Sequence, residues 1–253
     1  MARQPARRQS IRKALILISL LLFPVTMNYL SPYVITDAAS QGIVNGSMIV
    51  FTAMFLSALF VGRLWCGWAC PAAGLQEMCF AVRDKPARGG RLDWIKWAIW
   101  FPWIGLIAFL AVQAGGYHRV DFFHLTESGI SLYQPDQPQP FIFIIYYGVV
   151  GLVLILALSA GRRAFCHYGC WMAPFMIGGR KIRNLVKWPA LRLRADAEKC
   201  IDCKRCTQNC PMSLDVNGLV HKETMEHGEC ILCGTCVDGC PQDVIRYSFS
   251  GGR

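Results

Sequence analysis

The sequence predicts a membrane-embedded bundle of four α-helices followed by a small α+β domain rich in cysteine. Two features of the 253-residue chain lead to this prediction: four long stretches contain no Asp, Glu, Lys or Arg, and eight of the thirteen cysteines lie between positions 200 and 240. The composition agrees, because the chain is 54% hydrophobic and 17% charged, whereas soluble proteins are about 25% charged.

The four uncharged stretches are long enough to cross a bilayer. They cover residues 14–36, 38–62, 97–118 and 137–161. A helix that crosses the hydrocarbon core needs about 20 apolar residues. We therefore predict membrane-spanning helices at roughly 14–34, 43–62, 96–115 and 141–161. Pro24 and Pro102 fall inside these stretches, which membrane helices tolerate when neighbouring groups satisfy the freed carbonyls.

The basic residues predict the orientation. The arm at 1–13, the connection at 63–95 and the segment at 162–194 are rich in Lys and Arg, whereas the connection at 116–140 has only Arg119 and the one around Asp37 has none. By the positive-inside rule, both termini and the cysteine-rich domain lie in the cytoplasm of a cytoplasmic-membrane protein. This rule also explains the net charge of +10 without nucleic acid as a partner. A cleaved signal peptide is the alternative for the N-terminus, but the apolar run is long for one.

These features divide the chain into four predicted parts. They are a basic cytoplasmic arm (1–13), a four-helix membrane domain (14–179), a basic amphipathic linker (180–194) and the cysteine-rich domain (195–253). The linker contains Trp188 and Pro189, and we expect it to lie on the anionic membrane surface or, alternatively, to be a solvated connection.

The eight C-terminal cysteines form two identical runs with the spacing C-x2-C-x2-C-x3-C-P. The runs are Cys200, Cys203, Cys206 and Cys210 before Pro211, and Cys230, Cys233, Cys236 and Cys240 before Pro241. This spacing is typical of bacterial two-cluster ferredoxins, in which the fourth cysteine of each run ligates the other cluster. Zinc sites usually combine two C-x2-C pairs across a longer gap, so we favour clusters over zinc. The predicted ligands are Cys200, Cys203, Cys206 and Cys240 for cluster 1, and Cys230, Cys233, Cys236 and Cys210 for cluster 2.

Two further cysteine pairs end the second and fourth predicted helices. Cys66 and Cys70, like Cys166 and Cys170, are separated by four positions and follow a Gly-Arg pair and an aromatic residue. The membrane domain thus repeats as two helical hairpins, and residues at i and i+4 share one helix face. Three functional interpretations stay open: a joint metal or cluster site, a redox-active dithiol, or an electron path from a quinol site. Four packed structural thiols are the alternative to all three.

Other cofactor motifs are not found in the sequence. No C-x-x-C-H occurs, so an attached c-type haem is not indicated. No Walker loop occurs, and no G-x-G-x-x-G loop stands between a strand and a helix, so nucleotide, flavin and nicotinamide sites are not indicated either.

Together these motifs resemble the NapH-type membrane ferredoxins of periplasmic nitrate reductase systems. They are also similar to the C-terminal part of the nitrous oxide reductase regulators and to cytochrome oxidase accessory ferredoxins. Residues Cys66–Pro71 fit the membrane-edge motif of this family, whereas Trp171 stands where the second motif would have proline, as in a divergent subgroup.

The resemblance implies a function in electron transfer. It implies a relay between the quinone pool or a cytoplasmic donor and a partner reductase, acting as a subunit more than as a free-standing enzyme. Quinol is a candidate ligand, and the partners are the membrane and a redox protein. The alternatives are an accessory ferredoxin that reduces a metal or thiol on a client oxidase or reductase, and a redox-sensing regulator.

Overall fold

The first half of the membrane domain is mostly helical and contains the first C-x3-C motif near its end. The computed structural model describes residues 7–126, 129–131 and 139–251. The elements of this half are α1 (Arg7–Leu21), α2 (Phe23–Thr26), α3 (Pro32–Ser40), β1 (Ile43–Asn45), α4 (Gly46–Val61), α5 (Leu64–Trp68) and α6 (Pro71–Met78). Asn45 caps α4 by accepting a hydrogen bond from the Met48 amide at 2.9 Å.

The second half of the membrane domain repeats this order with longer helices. Its elements are α7 (Ile95–Gln113), β2 (Arg119–Asp121), α8 (Gln139–Ala160), α9 (Ala164–Tyr168) and α10 (Ala173–Leu185). Strands β1 and β2 pair in parallel, with Ile43 opposite Arg119 and Asn45 opposite Asp121. This pair joins the two halves between the start of α4 and the end of α7.

Two helical segments are long and apolar enough to cross a membrane, among the residues that the structure describes. They are Gly90–Gln113 and Phe143–Ala160, and only 11% of the residues in each apolar window are buried. Because the core helix of a soluble protein would be mostly buried, this exposure indicates contact with lipid. The two segments support membrane association at the third and fourth predicted spans. Helix α4 is apolar but shorter.

The first predicted span, 14–34, is not one continuous helix, so the prediction of a single helix there is wrong. Helix α1 ends at Leu21, and Pro24 lies in the first turn of α2, where a missing N–H breaks no helical hydrogen bond. Ser31 then caps α3 by accepting a hydrogen bond from the Val34 amide at 3.5 Å. A proline and a capping serine thus interrupt the apolar run.

The C-terminal domain is a small α+β unit, as predicted. Its elements are β3 (Ala190–Ala195), α11 (Arg205–Gln208), α12 (Val216–His221), α13 (Thr235–Asp238) and β4 (Ile245–Ser250). Strands β3 and β4 are antiparallel, with Ala190 opposite Ser250 and Ala195 opposite Ile245. The sheet therefore joins the two ends of the domain, and the cysteine runs lie between them.

The segment predicted as a linker, 180–194, combines buried arginines with an exposed connection between the two domains. Helix α10 continues to Leu185 and β3 begins at Ala190, so little chain lies between the two domains. Arg180 and Arg192 are buried and donate to Glu226 at 2.6 and 2.8 Å. Arg180 and Arg192 therefore bind a carboxylate of the C-terminal domain. Lys181, Lys187 and Trp188 are exposed, so contact of this part of the segment with a membrane surface stays a prediction.

The described part of the predicted N-terminal arm, residues 7–13, is the beginning of α1. Arg8 forms an ion pair with Asp238 at 2.5 Å, and the Gln9 side-chain amide donates to the Cys233 carbonyl at 3.0 Å. Arg12 pairs with Glu77 of α6 at 2.9 Å. The start of α1 thus fastens the membrane domain to the C-terminal domain, and one apolar core continues through both.

Candidate iron–sulfur site

The two cysteine runs have the same backbone conformation. Residues two and four positions after the first cysteine have positive φ in both runs: Asp202 (53°) and Lys204 (55°) in the first, Leu232 (51°) and Gly234 (77°) in the second. Positive φ is uncommon outside glycine, so its recurrence at equivalent positions indicates a conformation that both loops require. Successive turns of this kind direct backbone amides into one concavity that suits an anionic group.

Each run contributes to two cavities. One cavity is lined by Cys200, Cys203, Cys206 and Cys240, and we call it the solvent-side cavity. The other is lined by Cys210, Cys230, Cys233 and Cys236, and we call it the bundle-side cavity. Each cavity therefore combines three cysteines of one run with the fourth cysteine of the other. Four thiols around one space match the four irons of a cubane, so the residues present fit a [4Fe–4S] cluster in each cavity.

The two cavities differ in their distance from solvent. In the solvent-side cavity Cys203 is exposed, and its neighbour Ile201 is 59% exposed. In the bundle-side cavity Cys210 and Cys233 are buried, and burial raises the pKa of Cys210 to about 12. Burial also raises the pKa of Cys236. Because metal binding requires thiolates, loading this cavity must release protons.

Polar groups beside two of the sulfurs can adjust the potential of a bound cluster. The Val244 amide donates to the Cys240 sulfur at 3.4 Å, and the Asn217 side-chain amide lies 3.7 Å from the Cys200 sulfur. Hydrogen bonds to cysteine sulfur and exclusion of water are the two means by which a protein sets cluster potentials.

The structure brings the four cysteines of the C-x3-C motifs together. Cys66 lies on α5 and Cys166 on α9, while Cys70 and Cys170 follow these short helices, and all four are buried in the shared core. The side-chain amide of Gln76 donates to the Cys166 sulfur at 3.2 Å. Burial and neighbouring thiolates raise the pKa of Cys70, and burial raises that of Cys170 to about 12.

Both C-x3-C motifs contact loops that line the bundle-side cavity. The Trp68 indole N–H donates to the Leu232 carbonyl at 3.1 Å. An atom added at the Cβ position of Gly67 would lie 2.4 Å from the Ile231 carbonyl oxygen, so glycine permits this close approach. From the second motif, His167 Nε2 lies 3.1 Å from the Met212 carbonyl. The bundle-side cavity therefore faces the membrane helices.

Sequence reasoning did not identify the buried ion pairs around these motifs. Arg63 is fully buried and donates to Glu229 at 2.7 Å. Lys96 is also buried and donates to Glu229 at 2.5 Å. Burial opposes ionisation of Glu229, but Arg63 and Lys96 outweigh it and lower its pKa to about 2. The signal in the sequence was the acidic residue directly before Cys230, in a chain with only 16 acidic residues.

Two family models match the chain. One, described as a 4Fe-4S dicluster domain, matches residues 199–245. The other, described as a 4Fe-4S binding domain, matches residues 46–88 and 141–189, which include both C-x3-C motifs. No solved structure gives a significant match.

Several relatives cover most of the chain at low identity. The electron transport protein YccM of Escherichia coli is 26% identical over 77% of this chain and 53% of its own length. An uncharacterised protein of Methanocaldococcus jannaschii is 26% identical over 83% of this chain and 82% of its own. The nitrogen fixation protein FixG of Rhizobium meliloti is 26% identical over 74% of this chain and 38% of its own.

These comparisons bear directly on the resemblance predicted from the cysteine motifs. The chain spans about half the length of YccM and less of FixG. It nevertheless aligns with both proteins over most of its own residues. The predicted resemblance is therefore confirmed: the chain carries ferredoxin-type 4Fe-4S domains and is similar to membrane ferredoxins of the NapH and FixG kind, which supports an iron–sulfur electron-transfer role.

Proposed function

We propose that the chain is a membrane-bound relay for single electrons between the quinone pool or a cytoplasmic donor and a partner reductase. The observation that carries this proposal is the pair of cavities lined by interlocked cysteine runs, one open to solvent and the other against the membrane helices. Bound clusters supply the one-electron chemistry. The chain's own residues hold them, exclude water from the inner one and leave the outer one accessible.

The ligand sets follow the cavities. Cys200, Cys203, Cys206 and Cys240 would hold the solvent-side cluster, and Cys230, Cys233, Cys236 and Cys210 the bundle-side cluster. Exposed Cys203 and Ile201 offer the solvent-side cluster to a soluble donor or a docking protein.

Substitution of the fourth cysteines tests this ligand assignment. Cys210→Ser should alter the low-temperature EPR signal of the bundle-side cluster, although Cys210 belongs to the other run. Cys240→Ser is the matched control and should alter the solvent-side signal instead. If each substitution affects the cluster of its own run, the crossed assignment is wrong.

Four crossings of the membrane, with a membrane domain over about residues 14–179, are supported by the order in which the helices run. Helix α1 begins beside Cys233 and α7 begins at the Lys96–Glu229 ion pair, so both start at the C-terminal domain. Helix α4 ends at Gly62 near Leu232. Strands β1 and β2 lie at the opposite ends of α4 and α7. The helices therefore alternate in direction.

The uncharged parts of α1 and α4 are shorter than the hydrocarbon core. Helix α4 has 16 residues, about 24 Å at 1.5 Å per residue, whereas only residues 14–21 of α1 are uncharged, about 12 Å, against about 30 Å of hydrocarbon. A first crossing therefore has to include α2 and needs a locally thin bilayer. Exposed apolar side chains on α1, such as Leu15, Ile18 and Leu21, suit contact with lipid. With the charge distribution, this topology keeps both termini and the ferredoxin domain cytoplasmic.

A cavity of about 510 Å³ between α1, α6 and the C-terminal domain is suited to a quinone head group. Apolar side chains of α1 form one wall: Ile16, Leu17 and Leu20. The Arg12–Glu77 and Arg162–Asp84 ion pairs form the polar part of the lining. Thr235, which also lines this cavity, contacts the Cys233 sulfur at 3.4 Å. A quinol bound here would lie next to the bundle-side cluster.

Filling this cavity tests the quinone step. Leu20→Trp should slow reduction of the clusters by menaquinol or ubiquinol in vesicles at least tenfold while leaving their reduction by dithionite unchanged. Leu21→Trp is the control, because Leu21 belongs to the same helix but is 71% exposed and outside the cavity lining. Equal quinol kinetics in both variants would place the quinone elsewhere.

An accessory ferredoxin is the alternative within the same chemistry. It would deliver electrons to a metal or a thiol on a client oxidase or reductase instead of to a catalytic partner. Deletion of the gene for this chain would then lower the metal content of the purified partner but leave the partner's activity per bound metal ion unchanged. A relay predicts full metal content and loss of quinol-dependent activity.

A further inference from the structure

We propose that Cys66, Cys70, Cys166 and Cys170 ligate a third [4Fe–4S] cluster at the membrane edge. The inference deepens the proposed relay and rests on it for its role in electron transfer, but the metal content can be measured separately. It chooses one of the three interpretations that the sequence leaves open.

The first observation is the donor set. The two halves of the membrane domain each contribute a cysteine pair, and all four side chains are about 95% buried, with exposures of 4–5%. They lie in one apolar core with Phe165 and Met176. A cubane needs four thiolates and a dry surrounding, and this site supplies both.

The second observation is the spacing of the sulfurs. Tetrahedral zinc with Zn–S bonds of about 2.3 Å requires sulfurs about 3.8 Å apart. Among the described residues, no three of these thiols lie within 4.8 Å of one another, and the same holds for the ferredoxin cysteines. The thiols as they stand are therefore too far apart for one tetrahedral zinc ion, whereas the thiolates of a cubane are separated by four irons and four sulfides.

The third observation is uncompensated positive charge on the side of Cys66. Arg63 and Lys96 share the single carboxylate of Glu229, at 2.7 and 2.5 Å, which leaves one net positive charge. Arg63 is fully buried, and its Nε and Nη2 atoms have no hydrogen-bond partner in the described part of the chain. Its charge acts on Cys66 and Cys170. Buried donors without partners are costly, which indicates an anion beside them.

The other half repeats this arrangement. Arg163 and Arg12 share the carboxylate of Glu77, which again leaves one net positive charge. Arg163 is fully buried and donates to the Cys66 carbonyl at 2.8 Å, and its Nε atom has no partner among the residues described.

The four cations and two carboxylates of these ion pairs together give a charge of +2 around the four thiols, and the His167–Asp93 pair at 2.6 Å leaves this value unchanged when His167 is protonated. An oxidised [4Fe–4S] core carries +2 and four thiolates carry −4, so the ligated cluster carries −2 and balances this charge. Four neutral thiols would leave both charges buried and uncompensated, which is strongly unfavourable. The match to the 4Fe-4S binding domain model also covers both cysteine pairs.

The experiment is iron and sulfide analysis of the full-length protein, purified anaerobically in detergent. We expect about twelve irons and twelve sulfides per chain, against about eight for the two ferredoxin clusters alone. A Cys66→Ala and Cys166→Ala double variant should lose about four irons while keeping both ferredoxin EPR signals. Cys79→Ala is the control and should keep all twelve, because Cys79 is the one cysteine outside the three sets.

The outcomes separate this inference from the proposed function. About eight irons in the wild type, with both ferredoxin signals present, would overturn the third cluster and leave the relay intact. About nine metal ions would indicate a single ion at this site and would also overturn it. Fewer than eight irons without ferredoxin signals would overturn the relay itself. If the double variant does not accumulate, the wild-type count still decides.

Discussion

The close approach of the membrane domain to the ferredoxin domain at Gly67 gives a quantitative prediction. Gly67→Ala places a Cβ atom 2.4 Å from the Ile231 carbonyl oxygen and 3.5 Å from the Cys233 Cα. The obstacle is backbone, which cannot rotate away, so α5 must retreat by about 1 Å to restore an ordinary contact of about 3.5 Å. Overpacking of this kind costs about 1–3 kcal/mol.

The assay is thermal denaturation in detergent, followed by cluster absorbance under anaerobic conditions. In chains of this size each kcal/mol shifts the melting temperature by about 2–4 °C, so Gly67→Ala should melt about 2–12 °C below its control. The control is Gly178→Ala on α10, where the nearest atom to the new Cβ is a Phe55 carbon at 3.9 Å. Both variants gain the same helix propensity, up to about 1 kcal/mol, which cancels in the comparison. Equal melting temperatures would refute the close packing of α5 on the cysteine loop.

Three further substitutions test the contacts between the domains. Glu226→Gln leaves buried arginines without a counter-charge and should destabilise the protein by about 3 kcal/mol in the same assay, so an unchanged melting temperature at pH 7 would contradict this role of Glu226. Because the Glu226 carboxylate has a pKa of about 2, the stabilisation that it provides is present above about pH 4.5 and is lost as the pH falls towards 2. Trp68→Phe removes the hydrogen bond to the Leu232 carbonyl and should cost about 1 kcal/mol, whereas no change would show that the bond contributes nothing. Asp238→Asn weakens the anchor for Gln9 and Arg8 and should increase amide hydrogen exchange at the start of α1 but not in α8; equal exchange there would contradict the anchoring role.

The sequence was sufficient wherever function depends on local spacing. The two cysteine runs predict a two-cluster ferredoxin domain because cubane ligation constrains residues only a few positions apart. The long apolar segments ending at Gln113 and Ala160 were predictable for the same reason, since hydropathy is read along the chain. The interruption after Leu21 was less visible, because a proline inside an apolar run is compatible with either a continued or a divided helix.

The sequence was insufficient where partners are distant along the chain. Arg63 and Glu229 are separated by 166 positions, and Gln9 and Cys233 by 224. Arg180 belongs to a segment whose basic pattern is typical of a membrane-surface linker, and only the fold shows that Glu226 lies beside it. A charge pattern reports composition, whereas the burial of a charge depends on which distant residue packs against it.

The repeat in the membrane domain is more regular in three dimensions than in the sequence. When the two motifs are aligned by their Gly-Arg pairs, Arg63 corresponds to Arg162. When they are aligned by their first cysteines, however, Arg63 corresponds to Arg163, because each lies three positions before that cysteine. Arg163 adopts a left-handed φ of 48°, which accommodates the extra residue and brings its guanidinium to the buried position. Arg162 instead pairs with Asp84 near the surface. Each half therefore supplies two thiols and one buried arginine to a common site. The strained backbone persists because the guanidinium that it positions binds both the Glu77 carboxylate and the Cys66 carbonyl, which ties α9 to the other half of the membrane domain.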